Sequence, residues 1–306
     1  MLRWKSIIDT DSLSLEDIDL IFANADSFLE VSERDVKKVP VLRGKTIVNL
    51  FFEPSTRTKT SFEIAAKRLS ADIINFSSSA SSVKKGESVI DTLKTILSMK
   101  VDLIVMRHSD SGAVKMAQHF INVPVINAGD GKHQHPTQAL LDLYTIKKIF
   151  NKLEELKVAI VGDFINSRVV RSDIDLFERM GIDVTIVSPT MLLPEDFSKM
   201  KVKHCIDDVI EESDIVYILR MQFERQDRSF YPSIMEYNRF LSLNKGRLLK
   251  MKPGSIVMHP GPVNRGIEIT DEVMDISGEP GEKITIDRQV TYGVAIRMAL
   301  LYLILS

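Results

Sequence analysis

The sequence predicts an α/β protein of two domains, each built on a mostly parallel sheet flanked by helices. The chain has 306 residues, more than one hydrophobic core usually covers, so two domains of roughly 150 residues are expected. Short apolar runs rich in β-branched residues alternate with helical patterns, which is typical of parallel sheets in α/β folds. The runs occupy residues 46–52, 72–76, 101–106, 123–127, 158–161, 184–187, 215–219 and 255–258.

The composition argues against several classes of protein. The chain carries 40 basic and 42 acidic residues, a net charge of -2, so it has no overall field that would attract nucleic acid or an anionic membrane. Its single cysteine, Cys205, excludes an intramolecular disulfide and fits a reducing compartment. The six histidines have neither H-x-x-x-H spacing nor cysteine partners, so no metal site is predicted.

Neither end of the chain resembles a membrane or export segment. Four charged residues interrupt the N-terminal stretch before an apolar run can form, namely Arg3, Lys5, Asp9 and Asp11. We therefore expect a cytoplasmic protein. The most apolar stretch, residues 294–303, contains Arg297 and has about half of the roughly 20 residues that a membrane span needs. It is interpreted as a C-terminal core helix.

Two strand ends lead directly into helices. After the first run, polar residues 53–58 precede Phe62, Ala65 and Leu69, which lie on one helix face; Ser55 or Thr56 is therefore expected to cap a helix. After the fourth run, residues 128–131 form a turn and Pro136 suits the first position of a helix. We expect that second helix to reach about residue 150 and to pass from one domain to the other.

The segment 220–252 has weak periodicity and many charges. It is longer than the usual connection of about 4–6 residues. A mobile lid is one interpretation, and surface helices are the other.

The helix that follows the first strand carries a candidate anion site. Ser55, Thr56, Arg57 and Thr58 combine three hydroxyls and a guanidinium with the free N–H groups of a helix N-terminus. A plain helix cap with a solvated arginine is the alternative. A second basic strand end, at residues 107–108, favours the anion site. The sequence lacks a P-loop and a dinucleotide fingerprint, so a nucleotide cofactor is not expected.

Three further clusters lie at predicted strand ends, where open α/β sheets bind ligands. His135 and Gln138 flank the start of a helix, whose terminus would keep the imidazole neutral and able to donate to a carbonyl. Arg168 and Arg220 could each grip one carboxylate of a dicarboxylate, although either alone is more often a surface ion pair. The segment 259–262, His-Pro-Gly-Pro, is a rigid loop that could expose main-chain carbonyls, or simply a turn.

Taken together, these motifs resemble the aspartate carbamoyltransferase catalytic chain, in order over almost the whole length. They are Phe-Phe-Glu-Pro-Ser-Thr-Arg-Thr at 51–58, Lys-Gly-Glu at 85–87, Val-Met-Arg-His at 105–108, Asn-Ala-Gly-Asp-Gly at 127–131, His-Pro-Thr-Gln at 135–138, Arg-Met-Gln at 220–222 and His-Pro-Gly-Pro at 259–262. The resemblance implies transfer of the carbamoyl group of carbamoyl phosphate to L-aspartate, the second step of de novo pyrimidine biosynthesis, without a cofactor. It also implies an active site in a cleft between the two domains.

The resemblance assigns a role to each candidate residue. The phosphate would be held by Ser55, Thr56, Arg57, Thr58 and Arg107. The carbamoyl oxygen would meet Thr58, Arg107 and His135, and with Arg57 these form the implied catalytic set. The carbamoyl NH₂ would be positioned by Gln138 and the main chain of Gly261 and Pro262. Aspartate would be received by Lys85, Arg168, Arg220 and Gln222.

The resemblance also implies domain bounds and an assembly. Residues 1–135 with the C-terminal helix at about 290–306 would bind carbamoyl phosphate, and 136–289 would bind aspartate. In a homotrimer, the loop 82–85 would enter the neighbouring subunit's site with Ser82 and Lys85. The spacing before Lys85 leaves Ser81 as an alternative to Ser82, and whether a regulatory chain or another pyrimidine-pathway enzyme such as dihydroorotase joins the trimer stays open.

Several other functions are alternatives to carbamoyl transfer to aspartate. An ornithine carbamoyltransferase shares two of the motifs, but it places a cysteine after the histidine of the late loop, where this chain has Pro260. Many relatives have a larger residue at Gly261; the role there belongs to main-chain atoms. A noncatalytic sensor of small anions, or a carbamoyltransferase for another amino acid, is the alternative, and a nucleic-acid binder is disfavoured by charge.

Overall fold

The computed structural model describes residues 6–77, 88–197, 199–222, 233–276 and 283–306. The chain divides into two compact units. Unit 1 comprises Met1–Tyr144 and Val290–Ser306, and unit 2 comprises Thr145–Gln289. The two divisions fall inside helices α5 (Pro136–Ile149) and α10 (Ile286–Leu305), so both helices run from one unit into the other.

Unit 1 is a four-stranded parallel sheet with helices between its strands. The strands are β1 (Thr46–Phe51), β2 (Asp72–Ser77), β3 (Leu103–His108) and β4 (Val125–Asp130), in the order β2-β1-β3-β4. The helices are α1 (Leu15–Glu33), α2 (Thr56–Arg68), α3 (Val89–Ser98) and α4 (Ala113–Gln118) together with most of α5 and α10. Buried β1, β3 and β4 read as nearly continuous apolar runs because helices cover both faces of such a sheet.

Helix α1 is anchored to α5 through a buried aromatic group. Its start is a capping box, in which Ser14 Oγ accepts from Asp17 N at 3.1 Å and Asp17 Oδ2 accepts from Ser14 N at 2.9 Å. Tyr144 packs its ring 5.2 Å from that of Phe22 and donates its hydroxyl to Asp26 Oδ1 at 2.6 Å. Burial and the Asp26 carboxylate raise the pKa of Tyr144, so it stays a neutral donor.

Helix α10 contains the apolar stretch that ends the chain. Among the described residues it is the one helix long and apolar enough, by length and composition alone, to cross a membrane. However, 56% of its most apolar 18-residue window is buried, and every residue from Val294 to Leu301 is at most 9% exposed. The prediction of a C-terminal core helix is confirmed.

Unit 2 is a five-stranded parallel sheet of order β7-β6-β5-β8-β9. Its strands are β5 (Lys157–Val161), β6 (Asp183–Val187), β7 (Lys201–Lys203), β8 (Ile215–Ile218) and β9 (Ile256–Met258). Its helices are α6 (Val169–Arg179), α7 (Ile234–Phe240), α8 (Lys245–Lys250) and α9 (Asp271–Met274), with 3₁₀ turns at Thr190–Leu192, Glu195–Phe197 and Ile206–Asp208. The predicted α/β class with parallel sheets is confirmed in both units.

Unit 2 contains one strand that the sequence did not predict, and it decides between the two interpretations of segment 220–252 in the described part of that segment. The edge strand β7 was not predicted, because its Lys-Val-Lys sequence presents only one apolar residue, the half-buried Val202. The described part of the segment 220–252 contains helices α7 and α8, which agrees with the interpretation of this segment as surface helices. Residues 223–232 lie outside the described residues.

Candidate active site

The predicted site residues of unit 1 lie at one edge of its sheet. Strands β1, β3 and β4 are neighbours and parallel, so the residues that follow them share the carboxyl edge, where open α/β sheets bind ligands. The segment after β1 leads into α2, Arg107 lies near the end of β3, and the turn after β4 leads to His135.

Helix α2 begins as the sequence predicts, with Ser55 at the N-cap and Thr56 as the first helical residue. The Ser55 hydroxyl does not accept a capping hydrogen bond from the described first turn. Thr56 and Arg57 are exposed, whereas Thr58 is buried. The helix end therefore presents N–H groups, three hydroxyls and a cation, a donor set suited to a phosphate.

Arg107 connects the three strand ends. Its Nη1 donates to the carbonyl of Ala128 at 3.0 Å and its Nη2 lies 3.4 Å from Glu53 Oε1. Its own carbonyl accepts from Phe52 N at 2.9 Å, and its side chain is 12% exposed. A guanidinium held from two sides in this way keeps a fixed orientation.

The turn after β4 is built around Asp130, a carboxylate with 0% exposure. It accepts from Gly112 N at 2.7 Å, Asn127 Nδ2 at 2.9 Å and Gln134 N at 3.2 Å. At Gly131 φ is +48°, and an added Cβ would lie 2.4 Å from Ser111 N, so only glycine fits. These contacts fix the chain that leads to His135.

His135 and Gln138 stand at the start of α5. The carbonyl of His135 accepts from Gln138 N at 2.9 Å, and the imidazole belongs to a residue that is 4% exposed. Gln138 Nε2 donates to both oxygens of the buried Asp142, at 3.0 and 3.2 Å. Because the NH₂ must face the carboxylate, the amide oxygen of Gln138 is directed away from Asp142.

Arg297 of α10 supports this arrangement from behind. It is 4% exposed, donates from Nη1 to Ser61 Oγ of α2 at 2.8 Å, and lies 5.2 Å over the ring of Phe62. Burial lowers the pKa of Arg297 to about 10, and the charge of Asp142 opposes that shift. Helices α2, α5 and α10 are thus linked through buried charge.

In unit 2, the predicted residues again follow neighbouring strands, β5, β8 and β9. After β5, the buried Asp163 accepts from Asn166 N at 3.1 Å and Asn166 Nδ2 at 2.8 Å. This turn leads to Arg168, which is 3% exposed and occupies the N-cap of α6. Arg220 follows β8, and both Arg220 and Gln222 are half-buried, on either side of the buried Met221.

The loop after β9 is fixed by its own histidine. His259 Nδ1 accepts from Gly261 N at 2.8 Å, and His259 N donates to Gln289 Oε1 at 3.0 Å. The Gly261-Pro262 peptide bond is cis. The loop has the rigid form that the sequence predicts.

The structure thus groups Ser55, Thr56, Arg57, Thr58, Arg107, His135 and Gln138 within unit 1, and Arg168, Arg220, Gln222, Gly261 and Pro262 within unit 2. Ser82 and Lys85 lie outside the described residues. No group of three or more His, Cys, Asp or Glu side chains that could hold a metal occurs in the described part of the chain.

Three supporting residues were missed by the sequence prediction: Asp142, Glu268 and Arg297. Each is a single charged residue with an apolar neighbour on both sides, and each is at most 4% exposed. Buried charges are rare unless they are paired. A lone charge inside an apolar run was the signal that could have revealed them.

Comparison with known proteins places this chain in one family. Residues 5–148 match the family described as "Aspartate/ornithine carbamoyltransferase, carbamoyl-P binding domain", and residues 154–304 match "Aspartate/ornithine carbamoyltransferase, Asp/Orn binding domain". The chain therefore belongs to the aspartate/ornithine carbamoyltransferase family.

Similar proteins point to one branch of that family. The aspartate carbamoyltransferase catalytic subunit of Syntrophus aciditrophicus is 50% identical over 99% of this chain and 98% of its own length. The aspartate carbamoyltransferase catalytic subunit of Halothermothrix orenii is also 50% identical, over 99% of this chain and 96% of its own length. Among solved structures, the aspartate transcarbamoylase of Trypanosoma cruzi in complex with carbamoyl phosphate superimposes with a TM-score of 0.89 at 32% identity, covering 98% of this chain and 96% of that one. The resemblance seen in the motifs is confirmed.

Proposed function

We propose that this chain is an aspartate carbamoyltransferase, which converts carbamoyl phosphate and L-aspartate into N-carbamoyl-L-aspartate and phosphate in pyrimidine biosynthesis. The observation that carries the proposal is the convergence, at one sheet edge, of the α2 N-terminus, the fixed guanidinium of Arg107 and the helix-start residue His135. A phosphate and an adjoining carbonyl need this set of donors.

In this proposal the phosphate lies at the start of α2. Ser55, Thr56, Arg57 and Thr58 donate to its oxygens with the help of the helix dipole, and Arg107 adds charge. The two contacts of Arg107 with Ala128 and Glu53 support its role, because they orient the guanidinium before the substrate arrives. Such preorganised charge stabilises a developing anion at no cost of reorganisation.

The carbamoyl group is then held at its two ends. Thr58, Arg107 and His135 donate to the carbonyl oxygen, and the carbonyls of Gln138, Gly261 and Pro262 accept from the NH₂. The contact of Gln138 Nε2 with Asp142 supports this role, since it directs the amide oxygen away from the carboxylate.

The second substrate is received by Arg168, Arg220, Gln222 and Lys85. The aspartate amine attacks the carbamoyl carbon, a C–N bond forms, and a tetrahedral oxyanion develops. The C–O bond to phosphate then breaks, and the departing phosphate takes the proton of the amine. The protein contributes orientation and positive charge to this sequence of steps.

A direct assay tests the proposal. Purified protein is given carbamoyl phosphate with L-aspartate, with L-ornithine, or with neither amino acid, and phosphate release and the carbamoylated product are measured. Turnover with aspartate alone is the expected result. Turnover only with ornithine would assign the chain to the other branch of the family, and binding without turnover would make it an anion sensor.

The proposed assembly is a cytoplasmic homotrimer in which Ser82 and Lys85 of one subunit complete the site of the next. If so, Arg57→Ala and Lys85→Ala each remove one group from every site, and both variants should be almost inactive. Refolding them together at equal amounts should restore activity, because each mixed ring regains one complete site in three. Three quarters of random rings are mixed, so about one quarter of wild-type activity is expected.

Each variant refolded alone serves as the control and should stay inactive. Two results would count against the shared site. If native mass measurement confirms mixed trimers and the mixture remains inactive, Lys85 acts within its own chain. If the protein sediments as a monomer with full activity, the trimer itself is wrong.

A further inference from the structure

Glu268 is a carboxylate with 0% exposure that lies between two segments of the proposed site in unit 2. Its Oε1 accepts from Met221 N at 2.7 Å and from Asn264 Nδ2 at 2.6 Å. Its Oε2 accepts from Asn264 N at 2.5 Å and lies 3.8 Å from His259 Nε2. One side chain therefore contacts the segment after β8 and the segment after β9.

The contacts hold Met221 at both of its peptide groups. Its N–H donates to Glu268, and its carbonyl accepts from Asn264 Nδ2 at 3.0 Å. The side chain of Met221 is 2% exposed and packs in the core of unit 2. Arg220 and Gln222 share these two peptide groups, so the network fixes the main chain from which their side chains extend.

The β9 side of the network is equally constrained. Strands β8 and β9 pair in parallel with Tyr217 opposite Met258, so the two segments leave the sheet side by side. His259 is tied to its own loop through Gly261 N and to α10 through Gln289. Glu268 thus connects the segment after β8 to the loop after β9.

Only a carboxylate can make this set of contacts. Three N–H donors converge on its two oxygens, and an ionised carboxylate is an acceptor at both. Glutamine has the same shape but presents an NH₂ at one position, where it would face another N–H. Turning the Asn264 amide would not relieve this conflict, because its oxygen would then face the carbonyl of Met221.

We propose that Glu268 is a positioning residue for the amino-acid substrate, which locks the Arg220–Gln222 segment to the loop after β9 so that Arg220 and Gln222 meet the substrate's carboxylates. The inference rests on the proposed function, since it assigns Glu268 to the aspartate side of that reaction. The loop after β9 keeps its own contacts, His259 with Gly261 N and with Gln289 Oε1, so binding of carbamoyl phosphate, which uses Gly261 and Pro262 as well as unit 1, does not depend on Glu268.

The test is Glu268→Gln, with steady-state kinetics in both substrates and calorimetric binding of carbamoyl phosphate. Displacement of a substrate-positioning group by about 1 Å can lower the efficiency of an enzyme on the order of 100-fold. The aspartate KM should therefore rise roughly 10- to 100-fold. The Kd of carbamoyl phosphate should change by less than about threefold, a bound far below that effect. A merely structural role would reduce the amount of active enzyme and leave the aspartate KM unchanged.

Asp207→Asn is the matched control. Asp207 is also a unit 2 carboxylate that accepts from N–H donors, both from Arg247, at 3.1 and 2.6 Å, but it has no contact with the Glu268 network. Its variant should retain the wild-type aspartate KM. Asn264→Ala is a milder second variant: it removes the donor to Met221 and keeps the carboxylate, so it should raise the aspartate KM by a smaller factor.

The outcomes separate the two proposals. If wild type does not use aspartate, the proposed function is wrong and the inference falls with it. If wild type does, and either Glu268→Gln or a folded Asn264→Ala has a wild-type aspartate KM, the inference alone is wrong. An equal weakening of carbamoyl phosphate binding and of the aspartate KM would also overturn the inference, because Glu268 would then stabilise unit 2 as a whole.

Discussion

The buried cation Arg297 offers the sharpest test of how unit 1 is held together. Replacing it by methionine keeps most of the volume and removes the charge. The variant loses the bond to Ser61 at 2.8 Å and the contact with the face of Phe62 at 5.2 Å. It also leaves Asp142, which is 0% exposed, without the cation that interacts with it.

The size of the effect follows from opposing contributions. The pKa of Arg297 is lowered from 12.5 to about 10 by burial, and at 1.36 kcal/mol per unit this corresponds to a cost of about 3 kcal/mol that methionine avoids. Against it stand a charged hydrogen bond of about 1.5–3 kcal/mol, a buried cation–π contact of about 2 kcal/mol and the lost attraction between Arg297 and the Asp142 carboxylate. Removing one partner of a buried pair typically costs about 3–5 kcal/mol in total. We expect a loss of about 3 kcal/mol.

Urea unfolding followed by far-UV circular dichroism measures this loss. Lys67→Met is the control: Lys67 is an exposed cation of the same unit, paired with Glu63 at i,i+4, and such a pair contributes only about 0.2–0.5 kcal/mol. Adding Asp142→Asn should recover part of the loss, because the asparagine oxygen can still accept from Gln138. Strict additivity in this double-mutant cycle, or a loss below about 1 kcal/mol, would refute the coupling.

Two further predictions concern the imidazole and an ion pair. His135→Ala should lower kcat on the order of 10²–10³-fold, the effect of removing one oxyanion donor, with an unchanged circular dichroism spectrum; an unchanged kcat would remove His135 from the mechanism. Arg247 lowers the pKa of Asp207 from 3.8, so the carboxylate contributes stability above that pH and loses it as the pH falls through the lowered value. The difference in unfolding free energy between wild type and Asp207→Asn should therefore stay constant above about pH 5 and shrink as the pH falls from there to about pH 2. A difference that stays constant over that lower range would contradict the assignment.

The sheet could be predicted where burial alone determines a strand. Strand β4 is buried along its whole length, and the apolar residues at its start predict it. The ends of strands are determined by main-chain pairing. Strand β3 extends to His108 because His108 pairs with Asp130 across a register shift, and pairing between polar residues leaves no hydrophobic pattern in the sequence. For the same reason the edge strand β7, held by pairing with β6, was missed.

The strand-end residues of the candidate site could be predicted from the sequence, and the residues that support them could not. Residues 55–58, Arg107 and His135 were visible because polar side chains directly follow buried strands. Their partners are distant in sequence: Arg297 lies 236 residues from Ser61, and Glu268 lies 47 residues from Met221. Propensity and periodicity describe neighbours along the chain, so contacts at such separation need the fold.

The two buried carboxylates solve one physical problem in two places. A residue that binds a substrate must be fixed without using the atoms that make the contact. Asp142 holds Gln138 by its NH₂ and leaves its oxygen for a ligand, while Glu268 holds the main chain of Met221 and leaves the side chains of Arg220 and Gln222. A carboxylate suits this task because it accepts from several donors at once. Burying it costs free energy unless every oxygen is satisfied, and this requirement explains why each lies among N–H donors.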